Sequence, residues 1–192
     1  MFSVTQNGKE LDKSKYNWDE ENKVFSTKEN NLVLDFSDYI EVTFKTGYSC
    51  TFKTGSHCTF ITGYNCTFKT GWNCTFNTGS SCTFNTGHSC TFKTGDNCTF
   101  NTGDNCTFKT SYSCTFKTGY SCTFKTGDNC FVTRYDVKGV IEIPEKKTIK
   151  LNGYGISGYT EIKEEIKEEI KEVSCEGEVV EIEGKKYKLV SV

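Results

Sequence analysis

An all-β fold, a parallel β-solenoid or β-helix, is predicted by three observations. Between Val42 and Cys130 one eight-residue phrase is said eleven times, typified by Cys50-Thr51-Phe52-Lys53-Thr54-Gly55-Ser56-His57. Within each copy Cys and Phe alternate with Thr and with Lys or Asn, the period-two pattern of a strand with one buried face. Each copy then runs through Gly to a Ser, Asn or His, and both Gly and Asn tolerate the positive φ of a tight bend. One phrase is therefore one short strand and one corner.

A single octad is too short to close around a Phe, two make a flattened coil of sixteen residues, and three make a triangular one. Two octads per coil are preferred. Facing octads would then set the Cys of one layer over the Phe of the other, small against large, as dense packing requires. Coils stack through parallel backbone hydrogen bonds roughly 4.8 Å apart. The register extends upstream, with Leu34-Asp35-Phe36 in the Cys-Thr-Phe slot before Val42-Thr43-Phe44, and downstream to Cys130-Phe131-Val132. This gives about six two-octad coils, a rod on the order of 30 Å long, held by neighbour contacts and closed by caps.

The ends read as follows. Residues 1–33 form a β N-terminal cap: a strand from Phe2 to Thr5, a turn at Asn7-Gly8, and strands from Lys15 to Trp18 and Val24 to Thr27. Residues 34–137 are the solenoid. Residues 138–192 form a small α+β cap: Val140 to Ile143 and Thr148 to Leu151 pair as a hairpin through Pro144-Glu145-Lys146-Lys147, and Gly153 to Gly158 is a glycine-rich link. Glu161 to Lys171 then reads as an amphipathic helix, with Ile162, Ile166, Ile170 and Val173 on one side. A second hairpin joins Glu178 to Ile182 with Tyr187 to Val190 through Glu183-Gly184-Lys185-Lys186. A helix this short packs on its neighbours rather than standing alone, which gives a monomer, with a homodimer as the lesser alternative.

The net charge of −2 hides a division. Residues 1–41 carry nine acids and five bases, 42–130 three acids and seven Lys, and 131–192 thirteen acids and eleven bases. The rod is mildly basic between acidic ends. Eleven of the twelve Cys recur every eighth residue, in a slot that Val42 and Leu34 also fill, so they read as buried thiols acting as small hydrophobes in preference to stacked disulfides. No metal site or cofactor is expected, since no Cys-x-x-Cys pair occurs and His57 and His88 sit in corners. Free thiols and an N-terminus without a signal pattern point to the cytoplasm, including that of an infected cell, or to a virion. No run approaches a membrane span.

Three surface features are candidates for function. The variable residue after each Gly stands on one of the two long edges: Trp72, His88 and Tyr120 on one, Tyr48, Tyr64 and Tyr112 on the other. Exposed aromatics are favoured anchors for a protein or glycan partner. The outward column of Lys45, Lys53, Lys69, Lys93, Lys109, Lys117 and Lys125 suits a polyanion such as nucleic acid, although Lys also keeps sheets from aggregating, and that reading is preferred. The unbroken outward Thr column from Thr43 to Thr123 raises ice binding, which the adjacent Lys weakens. The second Thr of each octad, Thr46 through Thr126, is placed to bond the corner backbone. No carboxylate pair, Ser-His-Asp set or phosphate loop is evident, so an enzyme is not expected.

The phrase Cys114-Thr115-Phe116-Lys117-Thr118-Gly119-Tyr120-Ser121 resembles the octapeptide-repeat proteins of tailed phages and other large DNA viruses, a largely uncharacterised group. The tail Asp136-Val137-Lys138-Gly139-Val140-Ile141-Glu142-Ile143-Pro144, with Thr148-Ile149-Lys150-Leu151, looks like the segment that closes such arrays. The resemblance implies a viral source and a solenoid, and carries no site residues. The chain is similar in spirit to pentapeptide-repeat solenoids, but the DNA mimicry of some of those acidic rods does not transfer to a basic one.

Overall fold

The computed structural model describes residues 1–163, 179–182 and 185–188. It is a β-solenoid of seven turns built from two ten-stranded sheets. The cap strands are β1 (Ser3–Gln6), β2 (Lys9–Glu10) and β3 (Tyr16–Asp19); β4 (Val24–Thr27) and β5 (Leu32–Phe36) follow. The repeat supplies β6 (Thr43–Lys45), β7 (Thr51–Thr54), β8 (Thr59–Ile61), β9 (Thr67–Lys69), β10 (Thr75–Asn77), β11 (Thr83–Asn85), β12 (Thr91–Lys93), β13 (Thr99–Asn101), β14 (Thr107–Lys109), β15 (Thr115–Thr118) and β16 (Thr123–Lys125). Then come β17 (Phe131–Arg134), β18 (Val140–Glu142), β19 (Thr148–Leu151) and β20 (Tyr159–Ile162).

Every repeat strand pairs in parallel with the strand sixteen residues away, Thr75 beside Thr91 and Phe84 beside Phe100, so two octads make a coil. Odd-numbered strands from β5 to β17 build one sheet, here face A, and even-numbered strands from β4 to β16 the other, face B. The corners are bonded as fully as the strands. From Gly55 to Gly127 the amide of each corner Gly donates to the residue one coil back, as Gly87 to Gly71 at 2.9 Å, and from Ser49 to Ser113 the residue before each Cys donates one coil forward, as Ser89 to Asp104 at 2.9 Å. Few wall amides are left to water, as a buried backbone requires.

The core differs from the expected Cys-over-Phe arrangement. Phe meets Phe: rings of one sheet stack at 4.8 Å and 3°, as Phe84 on Phe100, and meet rings of the other sheet edge-on at 5.2 Å and 76°, as Phe84 with Phe92. Both geometries suit the ring quadrupole, and a herringbone of rings fills the coil without a small residue opposite each one. The eleven repeat Cys, free and buried, form two files beside it.

The corners also correct the reading of Gly. Positive φ falls on the residue before each Cys, such as His57 at 60° and Asn97 at 55°, and on no repeat glycine. Gly is needed because coils touch there: a Cβ on Gly87 would stand 3.1 Å from the Gly71 carbonyl and the Trp72 Cα. Ser111, the one departure, makes no such amide bond to Gly95 among the described residues. From Thr54 to Thr126 the second Thr behaves as expected, its hydroxyl reaching the next carbonyl at 3.4 Å in Thr78 and Thr86, whereas the buried Thr46 hydroxyl, in the first copy, has no partner among the described residues.

At the N-terminal end, β1 and β2 form the expected hairpin through Asn7 and Gly8, both at positive φ, and β3 pairs with β4. Two expectations fail here. Phe25 of β4 lies beside Phe44, nineteen residues on, so β4 opens a seventh turn outside the octad spacing, where six were expected. In β5, Leu34 lies beside Phe52 and Phe36 beside Thr54. Leu32 therefore takes the Cys slot, two residues earlier than the octad count placed it, and the following corner carries two extra residues. The slip sets Phe36 at the end of the rod, where Phe2 stacks on it at 4.3 Å and Trp18 and Tyr39 meet it edge-on.

At the C-terminal end, Val140–Glu142 and Thr148–Leu151 do not form a hairpin with each other. β18 runs antiparallel to β17 on face A and β19 antiparallel to β16 on face B, so the chain reverses around the rod and closes both sheets at once. Arg134, nearly inaccessible in its side chain, binds Asp136 and donates to the carbonyls of Ile156 (2.7 Å) and Gly153 (3.0 Å), pinning the glycine-rich link. Glu161 and Ile162, expected to start a helix, belong to β20, which pairs with β19; from residue 164 on the expected helix lies outside the described residues. A second hairpin joins β21 (Val179–Ile182) to β22 (Lys185–Lys188), two residues earlier on its return strand than expected.

Candidate binding surfaces

The two-octad coil sorts every outward residue onto one of two faces. The seven Lys do not form one surface. Lys53, Lys69 and Lys117 point from face A and Lys45, Lys93, Lys109 and Lys125 from face B. On face A, Lys53 pairs with Asp35 at 3.0 Å, and Lys117 lies 5.3 Å over the Tyr135 ring, whose hydroxyl bonds Asn101. Asp35 itself is held below the usual carboxylate range, by the Ser37 hydroxyl first and Lys53 second. On face B, Lys93, Lys109 and Lys125 lie side by side on three successive coils. Their alignment, and not any one of them, is what a polyanion would meet. Thr columns run beside both Lys files, from Thr51 to Thr115 on face A and from Thr43 to Thr123 on face B.

The corner residues divide between the edges as expected. On one, Trp72 is 44% exposed and packs between two imidazoles: His88 stacks at 5.6 Å and 14°, and His57 meets it edge-on at 4.5 Å. The His57 amide donates to the Trp72 carbonyl at 3.0 Å, which places the two side chains together. His57 was not a candidate in the sequence, because it fills the slot before Cys and candidates were sought in the variable slot after Gly. Tyr120, on the same edge, is covered by Tyr154 of the glycine-rich link and is half-buried. On the other edge Tyr48 and Tyr64 stack at 4.9 Å and 2°. Tyr112 is three coils from Tyr64 and exposed; between them Ser80 donates to Asp96 at 2.6 Å, and that hydroxyl lowers the Asp96 carboxyl below its ordinary range. The structure thus gathers Trp72 with His88 and Tyr48 with Tyr64, and leaves Tyr112 and Tyr120 apart.

The end of the rod holds a recess of about 420 Å³ over the capping aromatics, lined by Phe2, Tyr16, Trp18 and Tyr39 with Glu10 and Lys13. Its rings pack against one another and the first coil, which is what a cap does. Among the described residues no group of three or more His, Cys, Asp or Glu side chains could hold a metal ion, and no helix is long and apolar enough to cross a membrane. No family model, curated protein or solved structure matches the chain.

Proposed function

We propose that the chain is a non-enzymatic binding rod whose aromatic corners hold a protein or glycan partner. The observation that carries this reading is the His57-Trp72-His88 cluster: a half-exposed indole held upright between two rings is a rigid, amphipathic contact with little freedom left to lose. Tyr48 and Tyr64 offer a second stacked platform on the opposite edge. The resemblance of the repeat phrase to phage and large-virus arrays supports a viral source, with the rod working in an infected cell or on a virion.

The test is a glycan array probed with the full chain and with Trp72→Ala. A bound glycan class is expected, with an affinity at least about tenfold lower for the variant, some 1.4 kcal/mol, and an unchanged circular dichroism spectrum. Equal binding by both proteins would remove the corner from consideration.

A second reading, polyanion binding, is favoured by the Lys93-Lys109-Lys125 strip alone. Three phosphate contacts contribute about 2 to 3 to the slope of log affinity against log salt. Replacing the three Lys with Gln is expected to remove that slope from duplex DNA binding. An unchanged slope would exclude the strip.

A further inference from the structure

The two files of buried Cys have a geometry that neither packing nor the proposed partner site uses. Cys50, Cys66, Cys82, Cys98, Cys114 and Cys130 follow one another on face A, and Cys58, Cys74, Cys90, Cys106 and Cys122 on face B. Their side chains repeat as well as their backbones. From Cys50 to Cys114 each thiol donates to the carbonyl two residues back at 3.4 to 3.6 Å. Most also reach the carbonyl nineteen residues back, as Cys82 to Gly63 at 3.8 Å and Cys106 to Gly87 at 3.7 Å. Side chains with the same contacts have the same rotamer, so neighbouring Sγ atoms in a file are one coil rise apart. The Phe rings measure that rise, from 4.7 to 5.1 Å.

This spacing is wrong for a disulfide and right for something else. Cβ atoms one rise apart exceed the 3.5 to 4.5 Å, roughly, that a disulfide requires. With metal–thiolate bonds of about 2.3 Å, a linear S–M–S unit spans roughly 4.6 Å. We propose that successive thiols in each file bind soft closed-shell cations in linear two-thiolate coordination, one ion to each pair of adjacent coils. Soft thiolate donors select such metals, and the absence of three-ligand groups among the described residues leaves no tetrahedral site for zinc. Charge narrows the class further. Two S–H bonds break, two S–M bonds form and two protons leave to solvent, so a divalent ion yields a neutral unit that a dry core tolerates; a monovalent ion would leave a buried negative charge. The ligand class is therefore the mercuric type. No oxidant takes part, and entry uses transient separation of coils.

Parity makes the proposal testable. The six-thiol file holds three pairs and the five-thiol file two, so the full chain with Cys175→Ser, which removes the one Cys outside the repeat, should retain five ions. Cys50→Ala in that background leaves five thiols in the first file and should drop the count to four. Cys58→Ala leaves four thiols in the second file and should keep it at five. The measurement is Hg²⁺ retained after dialysis against excess mercaptoethanol, with the sulfur-to-mercury charge-transfer absorption, two protons released per ion, and the circular dichroism spectrum followed together. Zn²⁺ should not be retained. Equal counts in the two Ala variants, uptake only with loss of the β spectrum, or no uptake would each overturn the proposal. None of these outcomes depends on whether the corners bind a partner.

Discussion

Replacing Phe84 with Ala is expected to lower the unfolding free energy by about 3 to 5 kcal/mol, the cost of emptying a large buried site that cannot collapse. Phe84 is inaccessible to solvent and touches four rings, stacking on Phe68 and Phe100 and meeting Phe76 and Phe92 edge-on. Neighbours in a ring herringbone cannot tilt to fill the gap without losing their own contacts. The lesion lies mid-rod, and a solenoid is held by nearest-neighbour interfaces alone, so the chain on either side of it should also become separately protected in hydrogen exchange. A midpoint shift in urea worth less than about 1 kcal/mol would contradict the ring core.

Arg134→Ala should cost about as much, 3 to 5 kcal/mol, for a different reason: it removes the cation from a buried carboxylate and leaves it only the Gly155 amide. The Arg134 and Asp136 side chains are 1% and 8% exposed, and the same guanidinium holds the link at Gly153 and Ile156. Bonds from Arg134 hold the Asp136 carboxyl below its ordinary range. A carboxyl whose folded pKa is depressed binds its proton more readily when unfolded. Its contribution is therefore complete above the unfolded value, near 4, and is lost as pH falls through the lower folded value. Wild type should lose stability across that window, and Arg134→Ala should be less stable at neutral pH with a flatter acid limb. Parallel acid limbs in the two proteins would show that the pair does not couple to folding.

The parts of the fold legible in the sequence were those that repeat. Inward Cys and Phe eight residues apart, with Gly closing each phrase, lead to the two-octad coil, its parallel stacking and the division of corner aromatics between edges. Where the spacing stops, period two alone cannot set a register. Leu32, Leu34 and Phe36 are all apolar and alternate, so a slip of two residues keeps every one inward, and only the end packing on Phe2 decides it. The strand Val24–Thr27 joins a coil nineteen residues before its partner, which no octad count reveals. Pro144 to Lys147 would read the same in a hairpin and in a crossing between sheets.

The site was less legible, because it depends on side-chain contacts between different corner slots and on tail contacts. His57 beside Trp72, Tyr135 over Lys117 and Tyr154 over Tyr120 join residues far apart in the chain. The inference from free thiols to a reducing compartment also weakens on geometric grounds. In-register coils hold Cβ atoms too far apart to bridge, so these thiols would stay free under oxidising conditions as well.

The central claim is the sixteen-residue coil, and spin labels on the outward columns test it most directly. In a Cys175→Ser background, label pairs at Asn85→Cys with Asn101→Cys, sixteen apart, and at Asn85→Cys with Lys109→Cys, twenty-four apart, would be compared. The repeat thiols are buried and should not take the label. The first pair should lie on adjacent strands of face A and show strong spin–spin broadening; the second should lie on opposite faces and show little. Strong broadening in the second pair and not the first would mean three octads to a coil, and would contradict the structure.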